Sequence, residues 1–330
     1  MPDMSAPLKL GADCWNSYTD WPAWLAAMQR AERLGYDSLW APDHIYPPNG
    51  DPYGPCLEPY MAIAPVAAMT SRPSIGLMVG ANTYRNPALV AKMVTTLDHI
   101  SGGRAILAIG SAWNEIEHTG FGFDFGDSPG ERLRWLREAL PVIRGMLDGK
   151  RPSAAGGHYH MQDAVNEPLP LQAHLPILIG GSGRRVTLRL VAEHADICNI
   201  GGRPAEVREK DAVLVGHCEV VGRDEREIER SIDVGVPTIR DSRAEAEAFN
   251  VSIFEGHGGA APWANQPVGT AEDVFELLAE YVALGYHHLV FYFPKPFDEE
   301  TMTRLATEIR PRLEALIDRP QGMAGATDHA

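Results

Sequence analysis

No stretch of this 330-residue chain stays apolar for the roughly 20 residues a helical membrane span needs, so no such span is expected. The opening segment MPDMSAPLKLGAD shows no basic region leading into an apolar core, and no secretion signal is expected. Cysteine is scarce. Cys14, Cys56, Cys198 and Cys218 lie far apart with no CxxC pair, as suits free thiols in a reducing cytoplasm. Basic residues are outnumbered 29 to 44 by acidic ones, giving a formal charge of −15 that disfavours nucleic acid and anionic membranes as partners.

What is present is a repeated strand–loop–helix rhythm. Eight strands are read at Leu8–Ala12, Ser38–Ala41, Ser74–Val79, Ala105–Gly110, Ile177–Gly180, Ile197–Ile200, Ile232–Thr238 and His288–Phe293. Several are continuous apolar runs, as strands covered on both faces should be. The helical stretches between them have recognisable ends. Asn86-Pro87 opens one, whose apolar stripe runs from Leu89 to Ile100, and Gly102-Gly103 closes it. Ser128-Pro129 opens another, and Thr270 with Asp273 reads as a capping box. RLGYDSLW at Arg33–Trp40 is echoed by ALGYHHLV at Ala283–Val290, each ending a helix at glycine before a strand. Eight such units predict one α/β domain over residues 1–320, a (β/α)8 TIM barrel. Two excursions interrupt it, Lys150–Pro170 before the fifth strand and Arg240–Pro267 after the seventh. The small, polar end (residues 321–330) reads as a disordered tail.

In such a barrel, chemistry sits where strands end. Those positions are Asp13, Cys14 and Trp15; Asp43 and His44; Asn82 and Thr83; Gly110, Ser111, Trp113, Asn114 and Glu115; Gly180–Arg184; Asn199; and Arg240. His44, directly after the second strand, carries an imidazole, which can take or return a proton, and is expected to pass one to or from a substrate. Asp43 either orients that ring or faces solvent. At ILIGGSGRR the glycines Gly180, Gly181 and Gly183, with Ser182, permit close backbone approach, and a helix follows. Main-chain amides there would attract the phosphate of a cofactor, with Arg184, Arg185 and Arg203 as sources of positive charge. Metal chemistry is not expected: His158-x-His160 has no carboxylate cluster beside it, and His287-His288 starts a strand rather than ending one. A glycosidase could recruit Asp43 and Glu115, but the glycine loop would then lack a purpose.

The segments AERLGYDSLWAPDH (Ala31–His44), IGLMVGANTYRNPALVAKMVTTLDHISGGRAILAIGSAWNE (Ile75–Glu115), GERLRWLREALPVIRGML (Gly130–Leu147) and ILIGGSGRRVTLRLVAEHAD (Ile177–Asp196) carry a resemblance to the bacterial luciferase-like superfamily, in particular to its coenzyme F420-dependent oxidoreductases. The resemblance implies a flavin or deazaflavin at the barrel's carboxyl-terminal mouth. It implies His44 beside the ring, a bulge with a non-prolyl cis peptide at Met78–Val79 behind the ring, and a phosphate loop at Gly180–Arg184. Asn82, Thr83, Gly110 and Ser111 would complete the cofactor site. Apart from the resemblance, strand-end position puts Cys14, Trp15, Trp113 and Asn199 in the substrate pocket, and Trp15, Trp40, Trp113 and Trp263 read either as its aromatic walls or as core. Homodimers are usual in the look-alikes. Gly110-Ser111-Ala112-Trp113 and Ile197-Cys198 depart from the usual pattern, so the substrate cannot be carried over.

Three functions follow for test. The first is hydride transfer between coenzyme F420 and a small organic substrate, with His44 moving the matching proton. The second is an FMN-dependent monooxygenase served by a separate flavin reductase. The third is a barrel that binds a flavin without turnover.

Overall fold

The computed structural model describes residues 4, 6–155, 157–259 and 266–318. Eight parallel strands form the barrel, first to eighth in chain order: Lys9–Cys14, Ser38–Ala41, a third in two pieces (Ser74–Leu77 and Gly80–Ala81), Leu107–Gly110, Ile177–Gly180, Ile197–Gly201, Glu229–Gly235 and His288–Phe293. The first lies between the second and the eighth, with Gly11 opposite Ser38 and Lys9 opposite His288. The ring closes at the third, where Ile75 bridges Ala105 and Gly80–Ala81 pairs with Ile109–Gly110. The break in that strand falls at Met78–Val79, and their peptide bond is cis. The α/β barrel expected from the repeat is therefore the observed architecture.

The first, third, fourth, sixth and seventh strands have other limits than the sequence reading, with the largest differences in the first and seventh. The first strand runs on through Asp13 to Cys14, because its last polar residue faces the barrel interior instead of solvent. The seventh starts at Glu229, where Arg230 is buried on the barrel exterior against Asp211 and Glu225, and stops at Gly235, held at φ 101°. Pro237 offers no amide to a ladder, so Thr238–Ile239 pairs separately with Val268–Gly269.

The helix ends behave as their residues dictate. Asn86 accepts from the Ala88 amide and Gly102 closes the same helix, Pro87–Ser101, in the left-handed region. Ser128 caps Pro129–Leu147, and Thr270 and Asp273 form a reciprocal capping box on Ala271–Ala283. The two echoed segments are structurally equivalent: Gly35 and Gly285 both take positive φ, and the following Tyr36 and Tyr286 are both buried.

The larger core lies between strands and helices. A smaller one fills the barrel, built from Trp40, Met78, Ile106, Ala108, Leu178, Ile197 and Val290. Trp40 needs room there, and Gly76 supplies it: a Cβ at that position would stand 2.5 Å from the Ile106 carbonyl oxygen and 2.9 Å from the indole. Trp40 is thus interior packing, not a pocket wall. Below it, at the amino-terminal end, its indole N–H donates to Ser38, which bonds His288, which bonds Glu229.

The first excursion contains an antiparallel pair, Ala154–Ala155 with His160–Met161, and stacks His158 on Trp135 at 3.7 Å. The second carries helix Arg243–Gly256; its tip (residues 260–265, Trp263 among them) and the chain end expected to be disordered lie outside the described residues. No helix among the described residues is long and apolar enough to cross a membrane.

Candidate functional site

The carboxyl ends of the strands surround a cavity of about 510 Å³, ample for a small-molecule ligand. Of the residues anticipated from sequence, Trp15, Asp43, His44, Met78, Val79, Gly110, Ser111, Trp113, Gly180, Gly181 and Asn199 all line it. One wall is the Met78–Val79 bulge. Val79 is held between two glycines: a Cβ on Gly180 would lie 2.7 Å from Val79 Cγ1, and one on Gly110 2.9 Å from Val79 Cγ2.

His44 stands on the wall with its ring fixed from behind. Its Nδ1 lies 3.0 and 3.1 Å from the two oxygens of Glu117, a side chain with no solvent exposure. Glu117 also accepts from the amides of Ile45 and Tyr46 and, at 2.6 Å, from the Tyr84 hydroxyl. Burial alone would raise its pKa, but the bonds from His44, Tyr84 and the Tyr46 amide outweigh it and hold the carboxyl below its ordinary value. An ionised carboxylate only accepts, so Nδ1–H of His44 must donate, and Nε2 is left as the basic nitrogen of the neutral ring. Trp113 meets the imidazole edge-on, with ring centres 5.4 Å apart.

Asp43 has a different task from the orienting one considered for it. Arg85 grips its carboxylate through two bonds of 2.7 and 3.1 Å, and the Ala81 amide adds a third. This knot ties the loop after the second strand to the second half of the third. Neither Glu117 nor Arg85 was recognised in the sequence. Glu117 follows Glu115 by two residues in an ordinary helix, and nothing in its spacing separates partner from solvent-facing acid.

Other anticipated residues lie elsewhere. Cys14 points away from the cavity into the core between barrel and helices, since neighbours on a strand face opposite sides; Asp13 faces the cavity in its place. Asn82 is turned aside to bond both ways with the Tyr159 hydroxyl. Thr83 donates to Nε2 of His118, whose Nδ1–H is given to the Asn114 carbonyl. Ser182, Gly183 and Arg184 lie beyond the cavity wall; Arg184 is exposed and paired with Glu209 at 2.5 Å. The helix after this loop begins at Thr187, three residues later than the glycines imply, with Arg184–Val186 forming a turn. Ala112 adopts φ 63° where a glycine would sit without strain.

At the floor are Asp13, Asn199, Asp233 and Tyr292. Asn199 donates to Ser231 at 3.1 Å and to Asp233 at 3.2 Å. Burial raises the Asp233 carboxyl to about 6, against the lowering effect of bonds from Tyr292 and Asn199. Burial, and then the charge of Asp233, push Asp13 well above the usual carboxylate range.

The site is thus a cavity at the carboxyl ends of a closed parallel barrel, with His44 backed by Glu117 and the third strand interrupted beside it. The model of the luciferase-like monooxygenase family matches residues 9–254, and the chain belongs to that family. An F420-dependent glucose-6-phosphate dehydrogenase of Microbacterium testaceum is 29% identical over 312 residues, 86% of this chain and 90% of the relative. Among solved structures, an F420-dependent secondary alcohol dehydrogenase in complex with an F420-acetone adduct superposes with a TM-score of 0.79 at 18% identity, over 93% of this chain and 99% of that one. A monooxygenase of Streptomyces bottropensis gives 0.76 at 16% identity, over 92% and 99%. At such identities these two show the shared fold.

Proposed function

We propose that this protein transfers hydride between coenzyme F420 and a small organic alcohol–carbonyl pair, with His44 as the proton acceptor or donor. The observation carrying this reading is the paired geometry of His44 and Glu117: an imidazole on the cavity wall whose far nitrogen is committed to an ionised carboxylate. Support for the cofactor comes from the curated relatives named for F420 and from the walls of the cavity. The apolar Met78–Val79 surface offers a flat ring a backing, and Gly110 and Gly180 keep its flanks free of side chains. Gly180 and Gly181, at the cavity edge, would take the phosphate, with Ser182, Gly183 and Arg185 outward of them.

When bound, the deazaflavin supplies the hydride acceptor or donor. The chain does the rest. In the oxidising direction Nε2 of His44 takes the proton of the substrate hydroxyl as the carbon loses hydride; in the reducing direction the imidazolium returns it. Glu117 fixes which ring nitrogen faces the substrate and stabilises the charge that develops on the ring, as a carboxylate behind a catalytic histidine does. Trp15 and Trp113 give the site apolar walls.

Equilibrium titration of the purified protein with F420 and with FMN tests the reading. Saturable F420 binding, with FMN weaker by about tenfold or more, is expected. Tight FMN binding with none of the deazaflavin would replace it with the flavin monooxygenase reading.

A further inference from the structure

The cavity floor bears two carboxyl groups that the proton transfer above does not use. Asp13 is 1% exposed and its Oδ1 has no hydrogen-bond partner, although it lines the cavity. Asp233, on the seventh strand, faces the same space, and its partners are Asn199 and Tyr292. A buried carboxyl oxygen without a donor is rare in a folded protein, and at the bottom of a ligand cavity it marks a place where a ligand donates. The surrounding charge has one sign. Three aspartates line the cavity, and no lysine or arginine does so among the described residues. Of the three, Asp43 is paired with Arg85, which also pairs with Glu58.

Resting on the oxidoreductase reading, we infer that Asp13 and Asp233 form a specificity site for a hydrogen-bond-donating head group without negative charge. The substrate is thus an alcohol or ketone bearing a second hydroxyl or an ammonium group, and a phosphate ester is excluded. A phosphate monoester would bring negative charge to a floor lined by carboxyl groups and, among the described residues, by no lysine or arginine to balance it. A hydroxyl or ammonium donates to Asp13 Oδ1 and settles it. Discrimination of this kind is strong because the wrong ligand leaves a buried polar group unpaired.

The test uses three probes on one ring: trans-4-aminocyclohexanol, cyclohexane-1,4-diol and 4-hydroxycyclohexyl phosphate. Their binding to the protein is measured by calorimetry, with and without F420, and their turnover with F420. The amine or the diol should bind at least about 30-fold tighter than the phosphate, and which of the two leads tells ammonium from hydroxyl. Asp13→Asn and Asp233→Asn should erode that preference by about tenfold or more while changing F420 affinity less than about threefold. Equal binding of all three probes to the wild-type protein, which needs no variant to fold, overturns the inference. So does a tenfold loss of F420 affinity in the variants, which assigns the pair to the cofactor. Absence of F420 binding with the probe ranking intact in cofactor-free protein would remove the cofactor reading and leave the floor's specificity standing.

Discussion

Glu117 lies 73 residues beyond His44 in sequence, yet both its oxygens reach Nδ1 of that imidazole, at 3.0 and 3.1 Å. The pair comes from different barrel units, brought together because the loop after the second strand and the short helix after the fourth, Glu115–Phe121, open onto the same rim. Glu117→Gln keeps the shape but can present an amide to Nδ1, favouring the wrong tautomer. Turnover should fall by about 10- to 1,000-fold with F420 affinity little changed. His44→Ala should lose about a hundredfold or more. A Gln variant with wild-type turnover and pH profile would reduce Glu117 to packing.

The Asp43–Arg85 pair predicts a stability effect. Both side chains are buried or nearly so, and removing one partner strands a charge. Asp43→Ala or Arg85→Ala should cost about 3–5 kcal/mol in denaturant unfolding, whereas an apolar double replacement should recover much of that. If Asp43→Asn, fully folded, loses turnover as steeply as His44→Ala, the carboxylate takes a direct part in the chemistry.

Gly180→Ala examines the bulge. The added Cβ would fall 2.7 Å from Val79 Cγ1, with no flexible side-chain end to give way. The wall behind the cofactor should shift, and F420 affinity should drop by about tenfold or more while the far-ultraviolet circular dichroism spectrum stays unchanged. Retention of wild-type affinity would show that Val79 does not set the ring's position.

Asp233 gives a pH dependence of defined sign. Its carboxyl is raised from 3.8 to about 6 in the fold. The folded state therefore favours the protonated form; that contribution is complete below the unfolded value and is lost as pH rises through about 6. Asp233→Asn should accordingly gain stability relative to wild type between pH 4 and pH 8, on the order of 2 kcal/mol. Chemical denaturation at the two pH values measures it, and a constant difference would contradict the assignment.

Strand-end position was enough to point to His44, because an apolar run stopping at Ala41 and followed by Pro42-Asp43-His44 places that histidine on the rim of any (β/α)8 barrel. Local pattern also determined the second, fifth and eighth strands and the helix caps at Asn86, Ser128 and Thr270, since each depends on residues within a turn of one another. The choice between Cys14 and Asp13 was out of its reach: side chains on a strand alternate, so a register uncertain by one residue exchanges core for cavity. Pairings such as His44 with Glu117, Asp43 with Arg85 and Asn82 with Tyr159 were decided by the tertiary structure alone. Closure of the barrel brings separate loops to one rim, and only there do buried carboxylates find the donors that determine which acid orients, which one braces and which is left facing the cavity.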